Sequence, residues 1–284
     1  MQTIYFLMFS CVVEPSNSLQ PKFRPRQYDF HVVQYGMTYI TGDTHGKFED
    51  LKERLKGLEL KEDDILIVCG DFGFDWNEDL IEKWKAFEHP YTVLFCDGNH
   101  ENFDILNDLP STEMFGSKVG IFAEKTYRLL TGCMYDIQGT RTFVFGGASS
   151  IDKDWRVDPW YVSMYGKLWW EEEIPSPESF SLAQRTLEKH RWTFDLFLSH
   201  TCRPELKRHV LETYKADFFD PTEAMIADLE DLIKENGGCW KVSCFGHFHT
   251  NVDYGKHHCL YERVVELDNL IQIQHIQIQN IDIY

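Results

Sequence analysis

Short apolar runs alternate along the chain with longer stretches of mixed polarity. The runs are rich in β-branched and aromatic residues and are too short for helices, so they predict buried strands. They occupy residues 39–41, 65–69, 91–96, 194–199 and 241–246. Between the first two runs, apolar residues recur at helical spacing and predict an amphipathic helix that covers a sheet. These residues are Phe48, Leu51, Leu55 and Leu58.

Three more helices are predicted from residues that favour helix starts. Asn77 precedes a helix with apolar residues to Phe87, Ser176 precedes one that begins with Pro177, and Asp220 precedes one that ends before Gly237. Strand-like residues from 119 to 145 predict strands of a second sheet, and residues 261–267 predict a closing strand. Residues 271–279 alternate between Ile and polar residues, with one interruption at Gln274-His275, which is typical of either an edge strand or a sticky, low-complexity tail.

Polar residues of one chemical kind follow the predicted strands. The motifs are Gly42-Asp43-Thr44-His45-Gly46, Gly70-Asp71-Phe72-Gly73, Gly98-Asn99-His100-Glu101, His200 and Gly246-His247-Phe248-His249. The first three are equally spaced, by about one strand, one crossover helix and one return to a parallel strand. Such residues collect at the carboxyl edge of a sheet, where α/β folds bind ligands. Their oxygen and imidazole nitrogen atoms form a ligand set that suits Mn, Fe, Zn or Mg and differs from a thiolate site.

In this order the motifs resemble those of the calcineurin-like metallophosphoesterases, over about residues 37–267. The resemblance implies an α/β fold in which two mixed β-sheets pack as a sandwich flanked by helices, in four layers. It also implies two divalent metal ions, with Asp71 as the bridging ligand. Of Mn, Fe, Zn and Mg, we favour Mn. The implied ligands are Asp43, His45, Asp71 and His249 for the first ion, and Asp71, Asn99, His200 and His247 for the second.

The resemblance further implies hydrolysis of a phosphate ester by a hydroxide that bridges the two ions, with His100 as the acid beside the leaving group. We expect a phosphomonoesterase ahead of a phosphodiesterase or nuclease. The alternative from another class is a non-catalytic metal-binding scaffold for protein contacts. Such a scaffold would be expected to lose ligands or His100, and this sequence retains them.

One departure from the family concerns the residue that grips the phosphate. The protein serine/threonine phosphatases of this superfamily carry Asp-Arg-Gly shortly after the second Asp, whereas here Phe72 follows Asp71. Residues 148–173 hold many aromatic residues among charged ones, and two interpretations remain open. The segment is either a long loop packed by its own aromatic residues, or a rim over the metals in which Arg156 grips a phosphate oxygen.

The formal net charge of -18 argues against a nucleic acid as the partner. A phosphorylated small molecule or protein remains compatible with it, because two cations make the cleft locally positive. The eight cysteines are scattered and show no C-x-x-C pair, which favours a reducing, cytoplasmic compartment. The sequence does not indicate the oligomeric state.

The domain organisation predicted from composition has three parts. Residues 1–36 form a leader, whose apolar run of residues 4–13 is too short to cross a bilayer, so we expect no membrane partner. Residues 37–267 form the catalytic domain, which contains every motif. Residues 268–284 form a C-terminal tail.

Overall fold

The computed structural model describes residues 36–73, 78–211 and 217–272. The predicted leader, apart from Gly36, and the residues after 272 therefore lie outside the described part of the chain. Helices α1 to α8 are, in chain order, Phe48–Arg54, Glu78–Lys85, Phe103–Asn107, Lys153–Arg156, Pro159–Tyr165, Pro177–Lys189, Pro204–Val210 and Pro221–Glu235. Strands β1 to β13 are Thr38–Thr41, Ile65–Val68, Thr92–Phe95, Ser111–Met114, Ser117–Ala123, Thr126–Leu129, Met134–Ile137, Thr140–Phe145, Leu196–Ser199, Val242–Phe245, Val252–Tyr254, His257–Cys259 and Val265–Glu266.

Two mixed sheets carry the fold. One has seven strands in the order β13-β1-β2-β3-β6-β5-β4, and the other has six in the order β11-β12-β10-β9-β8-β7. Strands β1, β2, β3 and β6 run parallel to one another, as do β8, β9, β10 and β12. Each sheet therefore brings several carboxyl ends to one edge, where loops can hold ligands.

Three of the four apolar clusters among the described residues hold the main layers together. The central cluster takes residues from both sheets, among them Ile67, Leu94, Leu198 and Val242. A second cluster packs the seven-stranded sheet against α1 and α2 around Trp84, and a third packs the six-stranded sheet against α6 and α8. Each fully buried Val, Leu, Ile or Phe side chain in these clusters stabilises the fold by roughly 1.5–3 kcal/mol. The order helix, sheet, sheet, helix confirms the predicted α/β sandwich.

The predicted helices are present, with some differences at their ends. Helix α1 begins at Phe48 but ends at Arg54, so Leu55 is its C-cap and Leu58 lies beyond it. The Ser176 side chain accepts a hydrogen bond from Ser179 N, and the Asp220 side chain accepts one from Thr222 N, so both are N-caps as predicted. The predicted N-cap Asn77 lies outside the described residues.

The sheet assignment predicted for residues 119–145 is wrong for its first half. Strand β6 pairs in parallel with β3, and β5 pairs with β6, so both belong to the same sheet as β1. The second sheet takes only β7 and β8 from this stretch. An alternating pattern identifies a strand but does not identify its pairing partner, because partners are set by contacts distant in sequence.

The predicted closing strand is shorter than expected. Strand β13 contains only Val265 and Glu266, and residues 267–272 are helical. Leu270 packs into the central cluster between the sheets. Ile271 and Gln272 are thus helical rather than extended, and residues 273–279 of the alternating stretch lie outside the described residues. Among the residues that the structure describes, no helix has the length and apolar character needed to cross a membrane.

Candidate metal centre

The residues that follow five parallel strands meet at one edge of the sandwich. Asp43 follows β1, Asp71 follows β2 and Asn99 follows β3, while His200 follows β9 and His247 follows β10. Contacts join the two sheets here, since His200 Nδ1 lies 3.9 Å from Asp43 Oδ1 and His247 Nδ1 lies 3.0 Å from Asn99 Oδ1. The structure therefore brings together residues that are far apart in sequence, at the edge where the sequence predicts them.

Backbone N–H groups donate hydrogen bonds to the Asp43 and Asp71 carboxylates. His247 N donates to Asp43 Oδ1 at 3.0 Å, and His100 N donates to Asp71 Oδ1 at 2.8 Å. The glycines at Gly98 and Gly246 make this close approach feasible, because a Cβ at either position would collide with the Asp71 or Asp43 carboxylate. These glycines thus explain the Gly-Asn and Gly-His pairs of the motifs.

Four of the predicted ligand residues adopt left-handed backbone conformations. Their φ angles are 47° for His45, 48° for Asp71, 68° for His247 and 50° for His249. A residue other than glycine in this region costs about 1–3 kcal/mol and persists only where the surrounding structure enforces it. Such strain is concentrated at functional sites, and here it turns the side chains toward one another.

The first donor group consists of Asp43, His45, Asp71 and His249, whose ligand atoms all lie within 4.8 Å of one another. His45 Nε2 lies 2.9 Å from His249 Nε2, and His249 Nε2 lies 3.1 Å from Asp43 Oδ2. Ligands bound about 2.0–2.2 Å from one ion are separated by about 3.0–3.5 Å, so these spacings fit a shared cation. Asp43 Oδ2 is buried and accepts no hydrogen bond from the described residues, which leaves it available to a metal.

The second donor group consists of Asp71, Asn99, His200 and His247. His200 Nε2 lies 3.2 Å from Asp71 Oδ1 and 3.2 Å from Asn99 Oδ1. His200 Nδ1 donates to Cys69 O at 2.7 Å, so Nε2 is the nitrogen that faces the group. Asp71 belongs to both groups, because its Oδ2 lies 3.8 Å from His45 Nδ1.

Burial and charge shift the pKa values of these groups in opposite directions. Burial alone would raise the pKa of Asp71, but the imidazoles of His200, His100 and His45 hold it well below its usual range. Burial would likewise lower the pKa of His200, yet the Asp71 and Asp43 carboxylates raise it to about 10. The pKa of His247 is lowered, by burial and by His200. In metal-free protein, the His200 imidazolium thus neutralises carboxylate charge that a metal would neutralise otherwise.

Arg156 lies against His100. Its Nη2 is 2.9 Å from His100 Nε2 and 3.1 Å from His100 Nδ1, and its Nε is 2.7 Å from Asp152 Oδ1. The His100 and His45 rings meet edge to face, with centroids 5.0 Å apart. The structure therefore gathers His100 and Arg156, both predicted as site residues, at the same place as the donor groups.

Elements of both interpretations of residues 148–173 are present. The segment contains the short helices α4 and α5 and is not an unstructured loop. Trp155 and Trp160 each contact the Tyr161 ring, which agrees with packing by the segment's own aromatic residues. Yet Arg156, which is only 2 % exposed, reaches His100, as a rim beside the metals would require.

A cavity of about 250 Å³ opens onto the donor groups. Asp71, Asn99, His100, His247 and His249 form its polar side, and Ile151, Leu211, Phe218 and Phe248 contribute an apolar wall. A larger cavity of about 380 Å³ lies around Arg128, and none of the proposed ligands lines it. Of these two cavities, the smaller one is the candidate for substrate binding, because four of the proposed ligands line it.

Several residues of the site are absent from the sequence-based prediction. Lys207 Nζ lies 2.7 Å from Glu223 Oε2 in the cavity wall, and the Tyr261 ring stacks on His249 with centroids 4.9 Å apart. Neither carries a local signal. Ser150, which accepts a hydrogen bond from Asn99, does carry one: β8 also ends in consecutive glycines, so it is a further strand end with the same signature.

A profile of the calcineurin-like phosphoesterases matches residues 37–251. The chain belongs to this family. The match spans every proposed ligand from Asp43 to His249, and this phosphoesterase is accordingly a metal-dependent enzyme that carries a candidate metal site at Asp43, His45, Asp71 and His249.

Two further comparisons complete the picture. The phosphoesterase is similar to the crystal structure of a phosphopantetheinyl hydrolase from Mycobacterium tuberculosis, at 16% sequence identity and a TM-score of 0.40, with 79% of this chain and 88% of that chain covered. Among curated proteins, no match is found.

Proposed function

We propose that this phosphoesterase uses two metal ions to hydrolyse phosphomonoesters. The observation that carries the proposal is the position of Asp71, whose two oxygens face different donor groups. Its Oδ2 faces His45, and its Oδ1 faces His200. A carboxylate placed in this way is suited to bridge two cations. The mixture of carboxylate, amide and imidazole ligands suits Mn, which we favour over Fe, Zn and Mg.

The two halves of the centre would have distinct chemical roles. When bound, two divalent ions would polarise the phosphoryl oxygens and make hydroxide available near neutral pH. Asp43 and Asp71 would supply the negative charge that holds the cations, and the backbone donors of His247 and His100 fix their orientation. Asn99 would offer a neutral oxygen, which limits the charge on the second half.

His100 would protonate the leaving oxygen. Arg156 Nη2 lies within hydrogen-bond distance of both His100 ring nitrogens, and a guanidinium can only donate, so this contact holds the imidazole beside the cavity. An imidazole held there can supply the proton that a departing alkoxide needs. Arg156 would also contact a phosphoryl oxygen, because a guanidinium has five N–H donors and this one lies beside the proposed acid.

The cavity limits what part of the substrate is enclosed. A volume of about 250 Å³ holds a phosphoryl group and the adjoining part of the leaving group, so the rest of a larger substrate would lie outside. The substrate class we propose is a phosphorylated small molecule or protein. We also propose that residues 37–267 form the catalytic domain and that the enzyme is cytoplasmic.

The test is a screen of metals against two aryl substrates, a nitrophenyl phosphomonoester and the matching bis-nitrophenyl phosphodiester. Metal-free protein is loaded with Mn, Mg, Zn or Fe. The Asp71→Ala variant is purified in parallel and serves as the control for contaminating phosphatases. We expect Mn-dependent hydrolysis with a kcat/KM at least about tenfold higher for the monoester. A preference for the diester would favour the phosphodiesterase alternative, and no hydrolysis with any metal would favour the non-catalytic scaffold.

A further inference from the structure

The side-chain amide of Asn99 can face the metal centre with either its oxygen or its nitrogen, and only the oxygen can bind a cation. In the structure, Asn99 Oδ1 lies 3.2 Å from His200 Nε2 and 3.0 Å from His247 Nδ1. The other end of the amide points away from the centre, where Nδ2 donates to Ser150 Oγ at 3.0 Å. The choice between the two orientations therefore depends on what Ser150 Oγ can accept.

Ser150 is fixed in turn by a buried carboxylate. Its Oγ donates to Glu173 Oε2 at 2.6 Å, and its backbone N donates to Glu173 Oε1 at 2.8 Å. A hydroxyl has a single hydrogen, so an Oγ that donates to Glu173 can only accept from its other neighbour. Glu173 is 1% exposed, which shields this arrangement from competition by bulk water.

We propose that Glu173 and Ser150 are positioning residues that orient Asn99 as an oxygen ligand for the second metal ion. This inference rests on the two-ion centre proposed above. If the amide rotated by half a turn, its NH₂ group would face the cation and its oxygen would face the oxygen of Ser150, so both contacts would become repulsive. The Glu173 carboxylate prevents that rotation by holding the Ser150 hydrogen.

The same residues join the aromatic segment, residues 148–173, to the metal centre. Ala148 N donates to Glu173 O at 3.0 Å, so the two ends of the segment meet at Glu173. Arg156 lies between these two ends in sequence, and its side chain contacts His100. Residues 148–173 thus reach both the proposed acid and, through Ser150, the second ligand group. This gives the segment a role that packing among its own aromatic residues does not provide.

The experiment measures Mn binding to metal-free protein by titration calorimetry, with Glu173→Ala as the variant. Glu172→Ala is the matched control, because Glu172 is the exposed neighbour with the same charge in the same turn. Loss of a partner behind a ligand typically reduces metal affinity 10–100-fold. We expect that reduction for the second ion in Glu173→Ala, with the first ion unaffected and with wild-type values for Glu172→Ala.

A second background isolates the effect on orientation. Asn99→Asp replaces the amide by a carboxylate, which presents one oxygen to the metal and one to Ser150 in either orientation. Removing Glu173 then frees the Ser150 hydrogen to bond that second oxygen, so adding Glu173→Ala to Asn99→Asp should not lower the second-ion affinity, in contrast to its effect beside Asn99. Ser150→Ala serves as an independent variant should Glu173→Ala fail to fold. The exchange-coupled EPR signal of paired Mn ions, recorded at two equivalents, should weaken in Ser150→Ala and persist in the control.

Three results would overturn the inference. An unchanged second-ion affinity in folded Glu173→Ala or Ser150→Ala would show that Asn99 needs no positioning. An equal loss beside Asn99 and beside Asp at that position would mean that Glu173 acts only on stability. A single ion in the wild-type enzyme would remove the two-ion proposal and this inference with it, whereas two ions bound with wild-type affinities in every variant would remove this inference alone.

Discussion

The two halves of the metal centre offer a cation different things. The half formed by Asp43, His45 and His249 with Asp71 contains two carboxylates and is open, since the His249 side chain is 49% exposed. The half formed by Asn99, His200 and His247 shares only the carboxylate of Asp71, and His200 is fully buried. One half is thus rich in charge and accessible, and the other is poor in charge and enclosed.

This difference indicates how each half achieves affinity. Carboxylate charge raises the affinity of a site directly, so we expect the first ion to bind in the open half. The enclosed half has less charge and depends on orientation, which it obtains from hydrogen bonds such as His200 to Cys69 O and Asn99 to Ser150. Changes to charge should therefore affect the first ion most, and changes to orientation should affect the second.

The largest effect is expected at Asp71, because it alone belongs to both halves. Asp71→Ala should lose both ions and reduce kcat/KM for an aryl phosphate roughly 10⁴-fold or more. Elemental analysis and steady-state kinetics measure this, with Asp228→Ala, an exposed aspartate on α8, as the control. Retention of both ions by Asp71→Ala would contradict a shared role.

A smaller effect is expected at His100, which is proposed as the acid and not as a ligand. His100→Ala should keep both ions and slow hydrolysis about 10²–10⁴-fold on an alkyl phosphate. The loss should be smaller on nitrophenyl phosphate, whose leaving group needs little protonation. The adjacent variant Asn99→Ala should instead lose the second ion. If His100→Ala loses metal, or is equally slow on both substrates, His100 is a ligand or a structural residue.

The enclosed half should also respond to pH. The pKa of His200 is raised to about 10 in metal-free protein, so at lower pH its proton must leave when a metal binds. Raising the pH from 6 to 9 should therefore increase the apparent affinity for the second ion by about tenfold per unit. In metal-free protein, the raised pKa of His200 gives folding stability the opposite pH dependence. The stability that it contributes is complete below about pH 6.5 and is lost as the pH rises through 10.

Calorimetry in two buffers with different ionisation enthalpies measures this proton release. About one proton should leave with the second ion, and the first ion provides the internal comparison. An affinity for the second ion that is independent of pH would mean that His200 is already neutral before metal binds.

The smallest effect is expected at Arg156, which contacts the proposed acid His100. Arg156→Ala should raise KM by about tenfold with a lesser change in kcat, if the guanidinium binds the phosphoryl group equally in the ground and transition states. Arg185→Ala, an exposed arginine on α6, is the control. A fall in kcat that is larger for alkyl than for aryl phosphates would show that Arg156 acts through His100. Unchanged kinetics would leave Arg156 a structural role.

The positions of five proposed ligands at strand ends could be inferred from the sequence because the signals are local. Each parallel strand is apolar and short, and the polar residue behind it marks the carboxyl edge, so Asp43, Asp71, Asn99, His200 and His247 could be placed from pattern alone. The helices at Ser176 and Asp220 were predictable for the same reason, since a cap and its first turn are contiguous.

What the sequence could not predict depends on contacts distant along the chain. The sheet to which β5 and β6 belong is decided by pairing with β3, and no residue in those strands encodes that choice. Glu173 contacts Ser150, the hydrogen-bond partner of Asn99, because residues 148–173 return to their own starting point. Lys207 enters the cavity wall through its pairing with Glu223. Glu173 and Lys207 therefore carry no motif of their own.

The number of Mn ions per chain tests the central claim most directly. Metal-free wild-type enzyme is reconstituted with excess Mn, freed of unbound metal and examined by elemental analysis together with EPR. Two ions per chain with an exchange-coupled signal are expected, because Asp71 faces both donor groups. One ion per chain, with the uncoupled signal of isolated Mn, would contradict the two-ion centre.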